Sequence, residues 1–341
     1  MLPILFALLM SLPSAATDAA TAAADKARAC EQGDAGACGA LGGLHLVGAG
    51  VAADNAKAVE FITRGCDGGD LKSCTDLGAL HMSGTGVPAN GAMAATYFSA
   101  ACDRSWPSAC HYLAVLHLLG NGVEQNLGRA IELNTAACEG GIAAACGHIG
   151  GMYKLGFGVK PDRSRSLRYR EMACKGGELF SCSLLGLALM EGDGTEADPQ
   201  KASGLLLKSC RGNEPTGCYG LGQLVASGQA PSHMGTDPDG MFQRTMEIAM
   251  PPCQAGDSNA CMVAKDVLKA SGTDEQFQQF CKDLGPAVSR GCNEGVFTAC
   301  VDLIELHEQG CGVPNTEDAI ATAKRQACAL GVQLWCDPSG E

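Results

Sequence analysis

Nine times along the 341-residue chain, two cysteines stand with seven residues between them. The pairs are Cys30/Cys38, Cys66/Cys74, Cys102/Cys110, Cys138/Cys146, Cys174/Cys182, Cys210/Cys218, Cys253/Cys261, Cys292/Cys300 and Cys328/Cys336, and the first six recur at a strict 36-residue step. Thiols at such density can ligate metal, exchange electrons or form disulfides. Zinc pairs on a turn favour roughly two to four intervening residues, and most units hold no histidine in register. Redox exchange of the thioredoxin type needs Cys-x-x-Cys, which is absent. Structural disulfides are the favoured chemistry. Cys281 and Cys311 stand outside the pairs, in the connections of consecutive units. A tenth bridge and two free thiols are both open for them.

A second constellation is a histidine ladder. His45, His81 and His117 lie 36 residues apart, Tyr153 takes the next step, and His307 the matching place in the eighth unit. Imidazoles can hold haem or metal. Equivalent atoms of packed helices, however, lie roughly 10 Å apart, too far for shared coordination. The ladder therefore reads as core, and no metal or cofactor is expected.

The elements that position these residues follow from the spacing. Two cysteines eight positions apart on one straight helix would lie about 12 Å apart along its axis, whereas a bridge needs Cα atoms within roughly 4.4–6.8 Å. If bridged, the chain must reverse between them, and the intervening residues are turn-formers: Gly33-Asp34, Gly68-Gly69-Asp70, Gly140-Gly141, Gly176-Gly177. The other connection carries Gly48-Ala49-Gly50-Val51, Gly84-Thr85-Gly86-Val87, Gly120-Asn121-Gly122-Val123 and Gly156-Phe157-Gly158-Val159 in register, with glycine suited to end a helix. Two helical patterns alternate with these turns. The first runs from Ala37 to Val47 with apolar Leu41, Leu44 and Val47, the second from Asn55 to Cys66 with Ala58, Phe61 and Ile62. Small residues at Ala58, Ala94, Ala130, Ser166 and Ala202 mark close helix packing between units. A fixed period of this kind means a stack of small units, not one globular core.

The run Leu41-Gly42-x-x-His45-x-x-Gly48-x-Gly50-Val51, with Asp54, Lys57-Ala58 and Gly65-Cys66, resembles the Sel-one-like repeat. With the C-x7-C pair it is most similar to the secreted Helicobacter cysteine-rich protein family, over roughly residues 18 to 336. The resemblance implies an all-α fold: a right-handed α/α superhelical solenoid with one bridge inside each hairpin, joining the nine pairs as given above. In that family the ladder position is usually an aromatic residue packing between helices. The pattern weakens after Cys210, where a 43-residue step to Cys253 carries an insertion around Ala230–Gly240, and Ala264-Lys265 stand where Leu-Gly is expected. The expected organisation is a signal peptide over 1–16 and a single solenoid domain over 17–341. That domain has about eight repeats, regular over 18–226, irregular over 227–291 and a regular cap over 292–336.

Leu2 to Leu12 are apolar and lead into Pro13-Ser14-Ala15-Ala16, a leader with small residues before its cleavage point. Twenty cysteines require an oxidising compartment, so a secreted or periplasmic chain is expected. The apolar run is too short to span a bilayer. A net charge of −13 argues against nucleic acid and anionic membrane surfaces, which both require a basic footprint. With 5% aromatic residues and 46 glycines the stack packs thinly, and the bridges compensate.

Some relatives in the resembled family are associated with penicillin binding and slow β-lactam hydrolysis. None of the twelve lysines here has serine three residues before it, and Ser-Asp-Asn, Lys-Thr-Gly, Gly-x-Ser-x-Gly, His-x-His and His-Glu-x-x-His are all missing. Weak β-lactamase or penicillin-binding activity is therefore only the alternative. The leading expectation is a non-catalytic monomeric scaffold that binds a protein or peptide on its concave face. Two columns of the first helix vary while the framework repeats: Ala40, Asp76, Tyr112, His148, Leu184, Gly220, and three residues on Gly43, Ala79, Val115, Gly151, Leu187, Gln223. Asp76, Tyr112, His148 and Gln223 are the candidate contacts.

Overall fold

The computed structural model describes residues 15–230, 237–255, 257–272, 274–293 and 297–332. Two compact units make up the chain, the first ending at Gly140 and the second beginning at Gly141. The first contains α1 (Ala15–Glu31), α2 (Ala35–Val47), α3 (Asn55–Asp67), α4 (Leu71–Ser83), α5 (Gly91–Cys102), α6 (Pro107–Leu119) and α7 (Leu127–Glu139). The second contains α8 (Ala143–Leu155), α9 (Arg163–Lys175), α10 (Leu179–Glu191), α11 (Pro199–Arg211), α12 (Pro215–Ala226), α13 (Pro238–Gln254), α14 (Ser258–Ser271), α15 (Asp274–Asn293), α16 (Phe297–Gln309) and α17 (Glu317–Ala329). No strand occurs among the described residues, and the fold is an all-α solenoid of helical hairpins. Most of the expected leader lies outside the described residues, with Ala15 and Ala16 opening α1. Among the described residues, no helix is long and apolar enough to cross a membrane.

Local chemistry sets the helix ends. The odd-numbered second helices start at Asp54, Asn90, Asn126, Asp162 and Asp198, whose side chains accept the backbone N–H three residues on. That hydrogen bond satisfies an otherwise orphaned donor of the first turn. The even-numbered first helices end at Gly48, Gly84, Gly120, Gly156 and Gly192, all with φ between +67° and +76°, where a side chain would be strained. The second glycine of each turn has a different task. A Cβ on Gly122 would lie 2.1 Å from the backbone of Gly91 and Ala92, so this turn rests directly on the start of α5. Val47, counted in the sequence with the apolar face of its helix, is instead 74% exposed, because the chain turns away at Gly48 and leaves the last residue of α2 unburied.

Within each unit, every helix packs on the next one in the chain, and first helices also touch across repeats: α2 with α4, α10 with α12, α12 with α14. In each unit these first helices therefore lie side by side. The core beneath is thin, built from small fully buried residues such as Ala58, Ala94, Ala130 and Ala202 beside a few larger side chains per repeat, such as Leu77, Leu80 and Phe98. In the second unit Phe157, after α8, forms an isolated antiparallel bridge with Val332, after α17. The curvature of that unit is therefore enough to bring its first and last repeats together. After Cys210, α12 stops at Ala226, α13 starts at Pro238, and α14 is followed by Gly272 in an extended rather than left-handed conformation.

Candidate functional site

No described cysteine is free. Sulfur–sulfur bonds join Cys30–Cys38, Cys66–Cys74, Cys102–Cys110, Cys174–Cys182, Cys210–Cys218, Cys253–Cys261 and Cys292–Cys300, with Cα atoms 4.5–4.7 Å apart. Cys138, Cys146 and Cys328 are disulfide-bonded as well, while Cys336 lies outside the described residues. Cys281 and Cys311 form a further bridge that ties α15 to the connection after α16. The cysteines are structural staples.

The ladder packs ring on ring. His45 stacks on Phe61, His81 on Tyr97 and Tyr153 on Tyr169, with centroids 5.6–5.8 Å apart. Nδ1 of His45 donates to the Ala52 carbonyl, that of His117 to Glu124 and that of His307 to Pro314. In these three repeats the imidazole holds the turn that follows the first helix.

The candidate contacts have separate surroundings. In the first unit, Asp76 on α4 pairs with Lys72 at 2.6 Å, and Tyr112 on α6 stacks on buried Phe98 at 5.2 Å. In the second unit, His148 is exposed on α8. Gln223 on α12 donates to the Tyr219 hydroxyl at 2.8 Å and lines an open cavity of about 510 Å³.

That cavity is built by four successive first helices: Glu191 from α10, Tyr219 and Gln223 from α12, Asp266 and Lys269 from α14, Glu305 and Gln309 from α16. Behind it the ammonium of Lys265, fully buried, is held by Asp266 at 3.0 Å and by Glu305. Glu191 keeps no ion-pair partner among the described residues. The buried Oε1 of Gln309 is an acceptor with no donor. Burial, together with the charges of Asp266, Glu305 and Glu191, pushes the Tyr219 phenol up to about 12. A negative potential from Glu191, Asp266 and Glu305 thus reaches into the cavity, offset in part by Lys269.

Next to it, and sharing Leu187 and Glu191, is a smaller cavity of about 180 Å³ among α8, α9 and α10. Its polar floor is Arg170, a residue that sequence reading by exposed columns missed. Ile62, Phe98, Asn134, Arg170, Leu206 and Phe242 follow one another at 36-residue steps, and each is buried. Four are apolar and pack under the glycine of the preceding first helix; Arg170 does so too, its Cγ lying 3.0 Å from a Cβ placed on Gly150. Its Nε donates to Ser166 Oγ at 3.3 Å, and Ser166 Oγ donates to the Gly150 carbonyl at 2.7 Å. Ser166 stands in the column that is otherwise alanine, so two framework positions change together in this repeat. Burial lowers the Arg170 guanidinium to about 10, with partial compensation from the Glu178 charge, so it remains cationic at neutral pH. At the rim, Lys154 at 2.7 Å and Arg163 share Asp193. The hydrogen bond from Lys154 holds the Asp193 carboxyl below its ordinary range.

Tandem helical hairpins with a disulfide at successive turns define a cysteine-stapled repeat solenoid. The Sel1 repeat model matches residues 35–70, 71–105, 107–142, 143–178 and 179–214, and the chain belongs to the Sel1 repeat family as a cysteine-rich member. A Sel1 repeat protein from Oxalobacter formigenes aligns with a TM-score of 0.57 and 26% identity over 65% of this chain and 88% of that one. The protein c5321, a protective antigen of uropathogenic Escherichia coli strains displaying an SLR fold, aligns with a TM-score of 0.56 and 23% identity over 93% of this chain and 67% of that one. No curated protein matches the chain.

Proposed function

We propose that this chain is an exported scaffold whose second unit binds an extended polypeptide along the first helices α10, α12, α14 and α16. The observation that carries this reading is the pairing of two adjoining cavities of different polarity that share Glu191. One offers acceptors at Glu191 and Gln309, the other donors at Arg170. A peptide backbone and its side chains supply both kinds of partner along one line, whereas a single small ligand would have to bridge two separate cavities. Export is supported by the disulfide density, since such bridges persist in oxidising compartments, and by the apolar leader at the N-terminus. Gln223 is the contact among the sequence candidates that this reading retains at its centre.

The test is retention of a random dodecapeptide pool on the immobilised, fully oxidised chain. A subset enriched in Lys and Arg is expected to be retained. Glu191→Lys, an exposed position, should reduce that retention at least tenfold while the circular dichroism spectrum is unchanged. Retention of no peptide by the unaltered chain would refute the function.

A further inference from the structure

The polarity of the bound peptide follows from Arg170, and this inference rests on the peptide-binding function just proposed. A guanidinium carries five N–H donors in a rigid fork. Among the described residues, Arg170 uses Nε alone, on Ser166, and its two terminal nitrogens have no hydrogen-bond or ion-pair partner. The residue is only 9% exposed. The terminal nitrogens open onto the cavity rather than being sealed off, and the Glu178 charge partly offsets the guanidinium, yet the fold does not require an arginine here. The same position is apolar in four other repeats, as Ile62, Phe98, Leu206 and Phe242, and is Asn134 in the repeat before, all of them buried. The exchange to arginine, with Ser166 placed to steer it, makes sense when an anion completes the fork.

The charge and walls of the cavity narrow that anion. Arg170, Lys154 and Arg163 line the cavity with Asp193 and Glu191, and Glu178 offsets Arg170 from outside the lining, so the site carries too little positive charge for a phosphate dianion and suits a monoanion better. A planar carboxylate matches the guanidinium fork bidentately. Leu167, Leu184, Leu187 and Ala188 form the remaining walls. An aspartate or glutamate side chain would bring its flanking backbone amides against those apolar walls. A chain terminus instead presents a carboxylate and an apolar side chain side by side. We propose that Arg170 receives the C-terminal carboxylate of a peptide whose last side chain is apolar, with a basic residue upstream reaching past Glu191 into the larger cavity.

The experiment compares two random hexapeptide pools, identical except that one ends in a free carboxylate and the other in an amide. It uses the full oxidised chain and its Arg170→Leu variant, which installs the leucine that the following repeat carries at Leu206. The unaltered chain should retain the free-acid pool roughly ten to a hundred times better than the amidated one, the range set by losing a charge-assisted fork. Arg170→Leu should fold with an unchanged or higher denaturation midpoint and retain both pools equally. Arg170→Lys, a point charge without the fork, should fall between the two. Equal retention of both pools by the unaltered chain would overturn the C-terminal assignment and leave peptide binding intact. Retention of neither pool would overturn both, and a free-acid preference that survives Arg170→Leu would overturn the role of Arg170.

Discussion

Reduction of the disulfides converts this chain from a cooperative solenoid into a largely unfolded one. In the chain-entropy account, each nine-residue loop closed by a hairpin bridge contributes roughly 2.5 kcal/mol by restricting the unfolded chain. The longer loop between Cys281 and Cys311 contributes roughly 3.5 kcal/mol on the same basis. The net stability of a folded domain is only about 5–15 kcal/mol, so the loss of a few bridges is comparable to the whole. The packing explains the dependence. Each regular repeat buries alanines and only a few larger side chains, such as Leu41 with Ile62, or Leu185 and Leu189 with Leu206. Denaturant titration of the oxidised and reduced chains, followed by circular dichroism, should show the cooperative transition lost on reduction. Replacement of Cys174 and Cys182 together by serine should cost about 2–3 kcal/mol. An unchanged midpoint in the reduced chain would mean that helix packing alone sustains the fold.

Neutralising Asp266 and Glu305 together should destabilise the second unit by about 3–5 kcal/mol, the usual cost of stranding a buried charge. Lys265 stands where Gly42, Gly78, Gly150, Gly186 and Gly222 stand in the regular repeats, and it is fully buried. Its ammonium is held by Asp266 at 3.0 Å and by Glu305. Asp266→Asn with Glu305→Gln leaves that charge in place with no counter-ion. Adding Lys265→Met, of similar length and apolar, should restore most of the lost stability, since a well-packed apolar substitute for a buried ion pair is often neutral or better. Denaturant midpoints of the double and triple variants check this. A double variant as stable as the unaltered chain would show that solvent reaches Lys265.

The two ends of the chemistry were unequally legible in the sequence. Cysteine spacing, turn glycines and the Asp/Asn residues that open the second helices act locally, so their period revealed hairpins, boundaries and the solenoid class. Cys281 and Cys311 could not be decided that way, because their proximity depends on how α15 meets the loop after α16. Lys265 was visible as a misfit for glycine, but Glu305 lies forty residues away on another helix. Arg170 and Ser166 stood in plain periodic columns. A polar residue in a buried column is informative only once its missing partners are known, and those are a property of packing. Asp76 and Tyr112 vary along the chain as a binding surface would, and the structure adds their local contacts, an ion pair with Lys72 and a ring stack on Phe98.

The most direct measurement of the central claim is amide hydrogen exchange of the oxidised chain with and without a peptide retained from the random pool. Binding along the first helices predicts slower exchange in α10, α12, α14 and α16, with α11 and α13 unchanged. Protection confined to α11 and α13, or to the first unit, would contradict it.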